Sequence, residues 1–262
     1  MAVLLFGGTV QTFYLPVSQP YYWLIFISTL SSYSLHWFFT ADTTPIISST
    51  HFRSYRNKQL KSILLFLFLI TSVCIVYFLR SYPLSIRYFI PAAIATLFYT
   101  APKIPFFQKL EGKAFGKTLY LTIIWVYVTC ILPFELANQF ISESAWWYIG
   151  CQFNFIYLIC LLFDYRDQQK DKLNYILLNT YKHFKALVIV ISLAFAVSIF
   201  FFYITSHQVE FSLGIVIAFL FLLINITKSI KSQSDYWFYL VLDGLMCAPA
   251  LISGIFHYLL NK

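Results

Sequence analysis

Three aspartates follow an apolar stretch at spacings that could bind a metal ion. The segment DYRDQQKD places carboxylates at 164, 167 and 171, and positions i, i+3 and i+7 share one face of a helix. Like charges held this close repel unless a cation lies among them, and hard oxygen ligands suit Mg²⁺. The pattern predicts that Asp164, Asp167 and Asp171 bind Mg²⁺ and, through it, a phosphorylated ligand. The alternative is a solvated helix end in which neighbouring basic residues are ordinary surface partners.

The composition is that of an integral membrane protein. Hydrophobic residues make up 60% of the 262 residues and charged residues only 11%, whereas soluble domains average about 25% charged residues. Apolar runs long enough to cross about 30 Å of hydrocarbon predict an all-α integral membrane protein with nine transmembrane helices, forming a single domain over residues 1–262. The nine predicted spans are Met1–Pro16, Tyr21–Phe39, Ser62–Leu79, Pro83–Thr100, Thr118–Phe134, Trp146–Phe163, Ala186–Thr205, Phe211–Ile226 and Trp237–Leu260.

The distribution of lysine and arginine supports this topology. The segments after the second, fourth, sixth and eighth spans hold 15 of the 18 basic residues, and cytoplasmic loops are enriched in both types. We therefore predict a multi-pass protein of the plasma or inner membrane, with a cytoplasmic N-terminus and an external C-terminus. The net charge of +8 follows from this topology, so it gives no reason to expect a nucleic-acid partner.

Two polar residues inside predicted spans are candidate ligand contacts. Asp243 lies within the last span, where an ionisable residue usually faces an internal cavity, about two turns from the start of its predicted helix. The alternative for Asp243 is a structural role, such as capping a helix or pairing with a buried arginine. Asn154 lies ten residues before Asp164 and close to the same helix face, although an interhelical hydrogen bond is the commoner role of such a residue.

The acidic segment also resembles a motif of a known family. FDYRDQQKDK at 163–172 is similar to the second aspartate-rich motif of the UbiA superfamily of intramembrane prenyltransferases, DxxDxxxD with an arginine before its second aspartate. The segment from Tyr99 to Lys103, continuing through Gly116 to Trp125, resembles the loop that follows the fourth helix in that family. Nine helices, with aspartate motifs after helices two and six, are the family's layout, so the resemblance spans the whole chain.

The first aspartate-rich motif of the family is only partly present. Family members usually carry NxxxD and a further aspartate four residues on, whereas this chain has Ser34, Phe38 and Asp42 in register. Only Asp42 keeps an acidic side chain there, which weakens the first metal site that the resemblance implies. His36 is a neighbouring candidate donor or ligand, although a lone histidine at a helix end is more often structural.

The resemblance implies the transfer of a prenyl group from a polyprenyl diphosphate to a lipophilic acceptor. Two Mg²⁺ ions would bind the diphosphate, one at Asp42 and one at the second motif. Basic residues on the same face would hold phosphate oxygens, although each of them also fits an ordinary positive-inside signal. These candidates are Lys103 and Lys117, with Arg53, Arg56 and Arg166 behind them.

Two other functions remain open from the sequence. The altered first motif favours a family-derived protein that has lost catalysis and binds an isoprenoid lipid. The third reading is an unrelated transporter in which Asp243 and Asn225 line a substrate path. Transporters commonly show internal repeats or helices broken by glycine and proline, and neither pattern is evident in the sequence.

Overall fold

The computed structural model describes residues 1–40, 52–82, 86–100, 114–171, 181–231 and 236–260. These ranges are helical and contain no strand, which confirms the all-α prediction for the described part of the chain. In chain order the helices are α1 Ala2–Thr12, α2 Gln19–Thr40, α3 Phe52–Ser81, α4 Ile86–Thr100, α5 Ala114–Val126, a π-helical segment π1 Tyr127–Ile131, α6 Leu132–Leu136, α7 Glu143–Asp171, α8 Tyr181–Ser206, α9 Val209–Lys231, a second π-helical segment π2 Trp237–Leu242, α10 Asp243–Leu245 and α11 Ala248–Leu260.

Five helical segments in the described ranges are long and apolar enough to cross a membrane. They are Lys61–Ser81, Thr118–Leu136, Glu143–Arg166, His183–Ser206 and Val209–Ile230. Three further apolar helices are shorter, namely Ala2–Thr12, Ile86–Thr96 and Leu240–Phe256. The second predicted span coincides with α2 but is not among the five, because serine, tyrosine and tryptophan side chains lower its hydropathy. The number of membrane crossings therefore stays a prediction.

Several helices extend beyond their predicted apolar spans into charged sequence. Helix α3 begins at Phe52, ten residues before the predicted span, so Arg53 lies in its first turn and not in a loop. Lys117 likewise lies in the first turn of α5. Helix α7 continues past its apolar span to Asp171, so the whole acidic segment is helical.

The chain divides into two compact units. Unit 2, residues 18–109, is built on α2, which packs against α3 and α4. In this unit the ring of Tyr21 lies 6.1 Å from that of Phe78 and 5.8 Å from that of Tyr82. Only 6% of the α3 span is buried, so most of its apolar side chains remain available to lipid.

Unit 1, residues 1–17 and 110–262, is centred on α7. The α7 span is 67% buried because α5, α8 and α9 all pack against it. Small residues allow close helix approach, as is common in membrane proteins. A Cβ atom added to Gly150 would lie 2.9 Å from the Ser198 hydroxyl of α8.

The C-terminal predicted span is helical but irregular. It consists of π2, the short α10, a turn at Met246 and Cys247, and α11. The turn is closed by i→i−3 bonds, from Met246 N–H to the Asp243 carbonyl at 3.2 Å and from Cys247 N–H to the Gly244 carbonyl at 3.1 Å. Pro249 has no N–H to offer the Leu245 carbonyl, which favours a break at this position.

A second irregular segment precedes α7. In π1 the Leu132 N–H donates to the Tyr127 carbonyl, five residues earlier, and Glu135 in α6 accepts a hydrogen bond of 2.8 Å from the Tyr127 hydroxyl. Asn138, at φ 54°, begins the short connection to α7. Because this connection is short and α5 packs against α7, the two helices run antiparallel.

Candidate functional site

The predicted acidic site lies on a continuous helix, because α7 runs without interruption from Glu143 to Asp171. At 3.6 residues per turn, Asp164, Asp167 and Asp171 fall within about 60° of arc. Asp164 is half-buried, while the side chains of Asp167 and Asp171 lie outside the described part. The rise from Asp164 is about 4.5 Å to Asp167 and about 10.5 Å to Asp171. Asp164 and Asp167 are therefore the pair best spaced to share one Mg²⁺ at Mg–O distances of about 2.1 Å.

Several predicted site residues lie wholly or partly outside the described part of the structure. Asp42 and Lys103 lie outside the described residues, and the side chains of Arg53 and Lys117 do so although their helices are described. Among the described side chains, no group of three or more His, Cys, Asp or Glu residues is arranged to hold a metal ion. The described side chains include Asp164 but not Asp167 or Asp171.

Among the described charged side chains near this segment, Arg166 is the most fully enclosed. Its side chain is only 4% exposed. The guanidinium carbon lies 5.2 Å from the ring centroid of Phe163 and 4.5 Å from that of Phe238. The two rings are 5.3 Å apart in an edge-to-face arrangement, so Arg166 makes cation–π contacts with both α7 and π2.

Asp243 lies directly after π2, close to this arginine. Its N–H donates to the carbonyls of Leu240 and Phe238, and the i→i−5 bond to Phe238 is the one that defines π-helical geometry. Its carboxylate interacts electrostatically with Arg166. The Cys160 thiol in turn is within electrostatic range of both Asp164 and Asp243. The structure thus brings Asp243 close to the end of α7 that carries the acidic motif. Of the roles predicted from the sequence, this arrangement favours pairing of Asp243 with a buried arginine, Arg166.

The amide side chains singled out from the sequence bond to their own helices. Asn154 Nδ2 donates to the Gly150 carbonyl at 2.8 Å, a bond within α7. Asn225 Nδ2 donates to the Phe221 carbonyl at 2.8 Å and is in an exposed environment. The Ser34 hydroxyl, in register with the family's first motif, donates to the Leu30 carbonyl at 2.8 Å. His36 is half-buried, with its ring 6.3 Å from that of Trp37.

A polar seam between α5 and α7 leads away from Asp164 towards the interior of unit 1. The Thr122 hydroxyl lies beside the Cys160 thiol and donates to the Thr118 carbonyl at 2.9 Å. Tyr157 lies on the same face of α7, with its ring stacked on Phe153 at 5.8 Å. The positions 157, 160, 164, 167 and 171 repeat at offsets of 3 and 4, so they share about 80° of the helix surface.

Sequence reasoning missed Phe238 and Tyr157. For Tyr157 a signal existed, because the 3–4 spacing of the acidic motif continues through Cys160 to Tyr157. For Phe238 no comparable signal exists, since it meets Arg166 only through a contact between segments about 70 residues apart in sequence.

Comparison with known proteins identifies no relative. No protein-family model, curated protein or solved structure matches the chain. The case for a function therefore rests on the residues themselves.

Proposed function

We propose that this protein is an Mg²⁺-dependent intramembrane prenyltransferase of the UbiA type, which transfers a polyprenyl group from its diphosphate to a lipophilic acceptor. The observation that carries the proposal is the continuous helix through Asp164, Asp167 and Asp171, because it supports a shared acidic face. The same helix carries the buried Arg166 within this segment. Its positive charge lies near the acidic segment, but on a different side of the helix from the three aspartates.

The acidic face would bind the diphosphate through Mg²⁺. Asp164 and Asp167 are spaced for one ion, whereas Asp171, about 6 Å further along the axis than Asp167 by rise per residue, would reach a second ion or the far phosphate. Mg²⁺ held there would neutralise charge that develops on the diphosphate as the carbon–oxygen bond breaks.

Cationic and aromatic side chains would complete the site. Arg166 is 4% exposed and lies at least 100° around α7 from the three aspartates, so its guanidinium would add positive charge near the site without contacting phosphate oxygens directly. Lys117, in the first turn of α5, is a candidate for phosphate oxygens. The allylic cation left by the diphosphate would be stabilised by aromatic ring faces, at about 0.5 to 2 kcal/mol for each well-placed ring, until the acceptor forms the new bond and loses a proton.

The membrane arrangement belongs to the same proposal. A nine-helix bundle with a cytoplasmic N-terminus would place the acidic end of α7 at the inner membrane surface, where a water-soluble diphosphate group meets its lipid tail. The basic residues that follow the second, fourth, sixth and eighth predicted spans would then lie on that side as well.

The reaction is tested by single-turnover release of pyrophosphate. The purified full chain is mixed with farnesyl or geranylgeranyl diphosphate, Mg²⁺ and a lipid extract containing acceptors. Pyrophosphate release that depends on Mg²⁺, together with a prenylated lipid product, is expected. Binding of the diphosphate without release of pyrophosphate would favour the alternative, a protein that binds an isoprenoid lipid and has lost catalysis.

A transporter remains the second candidate, because the irregular C-terminal helix beside Asp243 favours it. Irregular helices beside an ionisable residue are a common feature of transporter substrate sites, and Asp243 lies between π2 and the turn at Met246 and Cys247. The same assay separates the two functions, since a transporter would neither release pyrophosphate nor bind the diphosphate in an Mg²⁺-dependent manner.

A further inference from the structure

Several aromatic side chains are exposed at the end of unit 1 that lies opposite the acidic motif. Phe140 is 100% exposed, Tyr14 is 70% exposed and Trp146 is 55% exposed. Rings of this size contribute most to the stability of a protein when they are buried. Exposed rings at one place therefore indicate a surface that contacts something apolar outside the chain.

These rings lie beside one hydrophobic cluster that holds their backbone in place. Tyr14, Phe140 and Trp146 are each the direct chain neighbour of a residue in this cluster. The cluster is built from the buried side chains of Leu15, Phe134 and Ala145, with Val10, Phe13, Val17, Ala137 and Ile141 packed against them. The packing side and the exposed side of these segments are thus distinct, and the exposed side carries the rings.

The position of Phe140 in the chain places it at the edge of a membrane. It lies in the connection between α6 and α7, residues 137–142. Both flanking segments, Thr118–Leu136 and Glu143–Arg166, are long and apolar enough to cross a bilayer. Because the connection is so short, a side chain that points outwards from it meets the boundary of the hydrocarbon.

The connections at this end carry no lysine or arginine. Both types are absent from residues 118–165 and 186–227, which include the α6–α7 and α8–α9 connections. The α8–α9 connection lies at this end because Gln208 Nε2 donates at 2.9 Å to the carbonyl of the last residue of α1. Glu143 and Glu210 instead place carboxylates in the first turns of α7 and α9. Attraction to anionic lipids depends on clustered basic residues, so it does not act here.

We propose that Tyr14, Phe140 and Trp146 form an anchor that inserts into a zwitterionic lipid surface, at the boundary between headgroups and acyl chains. Tyrosine and tryptophan are enriched at membrane–water interfaces, and apolar rings beside them reach about 5 to 10 Å into that boundary. The inference rests on the membrane arrangement under the proposed function and does not depend on prenyl transfer.

The anchor would also set the depth of the acidic motif. Helix α7 is continuous from Glu143 to Asp171, and Asp164 lies about 31 Å along its axis from Glu143 by rise per residue. This length matches the hydrocarbon thickness of about 30 Å. An anchor that holds the start of α7 at one membrane surface therefore places Asp164 at the other.

The test places one fluorine atom on the ring of Phe140. The full chain is produced with 4-fluorophenylalanine at position 140 alone and reconstituted into phosphatidylcholine vesicles. Broadening of the ¹⁹F signal is measured with a nitroxide near the lipid headgroup, a nitroxide near the end of the lipid chain, and a water-soluble nickel chelate. We expect the nitroxide near the headgroup to broaden the signal most.

Phe134 is the matched control, because it belongs to the same cluster but is only 2% exposed. The same label at Phe134 should be broadened less than at Phe140 by the nitroxide near the headgroup. A label at Tyr14 should repeat the order of effects seen at Phe140. Replacing part of the phosphatidylcholine by anionic phosphatidylglycerol should leave that order unchanged, since basic residues are absent from this end.

The anchor is overturned if the nickel chelate broadens the Phe140 signal most, because the ring would then face water and suit a soluble protein partner. Strongest broadening by the nitroxide at the chain end, or an effect that requires anionic lipid, would also overturn it. Absence of pyrophosphate release with the expected order intact would contradict the prenyltransferase but not the anchor.

Discussion

At the scale of single residues, the enclosed guanidinium of Arg166 is the most informative feature. A buried charge is destabilising unless other groups compensate it. Two ring faces and the carboxylate of Asp243 do so here.

Replacement of Arg166 by lysine tests this enclosure. Lysine keeps the charge but not the planar group that packs between two rings, so Arg166→Lys should lower the free energy of unfolding by about 1 to 2 kcal/mol. Arg87→Lys is the matched control, because the Arg87 guanidinium lies 4.5 Å from the Tyr88 ring but is exposed. Chemical denaturation in detergent should show a clearly smaller effect at Arg87, and equal effects would contradict the argument.

The sequence predicts individual residues where the signal is local. The spacing of Asp164, Asp167 and Asp171 is visible because helix periodicity converts it directly into a shared face. The pairing of Asp243 with a buried arginine is one of two roles that the sequence leaves open, because it depends on how distant segments pack. Phe238 is not predictable at all in this way, since nothing near it distinguishes it from 28 other phenylalanines.

At the scale of helices, hydropathy predicts positions well and interruptions poorly. Each predicted span coincides with helix in the described ranges, because an apolar segment must satisfy its own backbone hydrogen bonds in lipid. The C-terminal span is apolar on average, so its π-helical segment and its turn at Met246 and Cys247 leave no trace in a hydropathy profile. These irregularities appear only in the structure, where π2 and α11 pack against α9.

The contact between α9 and α11 depends on one glycine. A Cβ atom at Gly214 would lie 2.2 Å from the Ser253 hydroxyl oxygen and 2.8 Å from the Ser253 backbone nitrogen, so backbone must move to admit it. Gly214→Ala should therefore destabilise the protein by about 1 to 3 kcal/mol. Gly244→Ala is the control, because nothing lies within 4 Å of the added atom, and it should cause no loss in the thermal unfolding midpoint. Equal stability of the two variants would show that α9 and α11 do not pack this closely.

At the scale of the whole molecule, charge and hydropathy predict a membrane protein, and the five long apolar helices are compatible with one. The alternating basic segments predict which connections share a side of the membrane. They do not determine which helices pack together, because a bilayer solvates apolar helix surfaces about as well as another helix does. The second aspartate motif is therefore the part of the candidate site that sequence and structure describe together, through the continuous α7.

The most direct test of the account is the Mg²⁺ dependence of diphosphate binding by the full chain. Geranylgeranyl diphosphate is titrated calorimetrically into wild type, Asp164→Asn, Asp167→Asn and Glu143→Gln, with and without Mg²⁺. Glu143 is exposed at the opposite end of the same helix. We predict that Mg²⁺ strengthens binding in wild type and Glu143→Gln, and that each aspartate variant binds at least about tenfold more weakly. Binding that is equally tight in all four proteins, or that does not respond to Mg²⁺, would contradict the acidic face of α7 as a metal–diphosphate site.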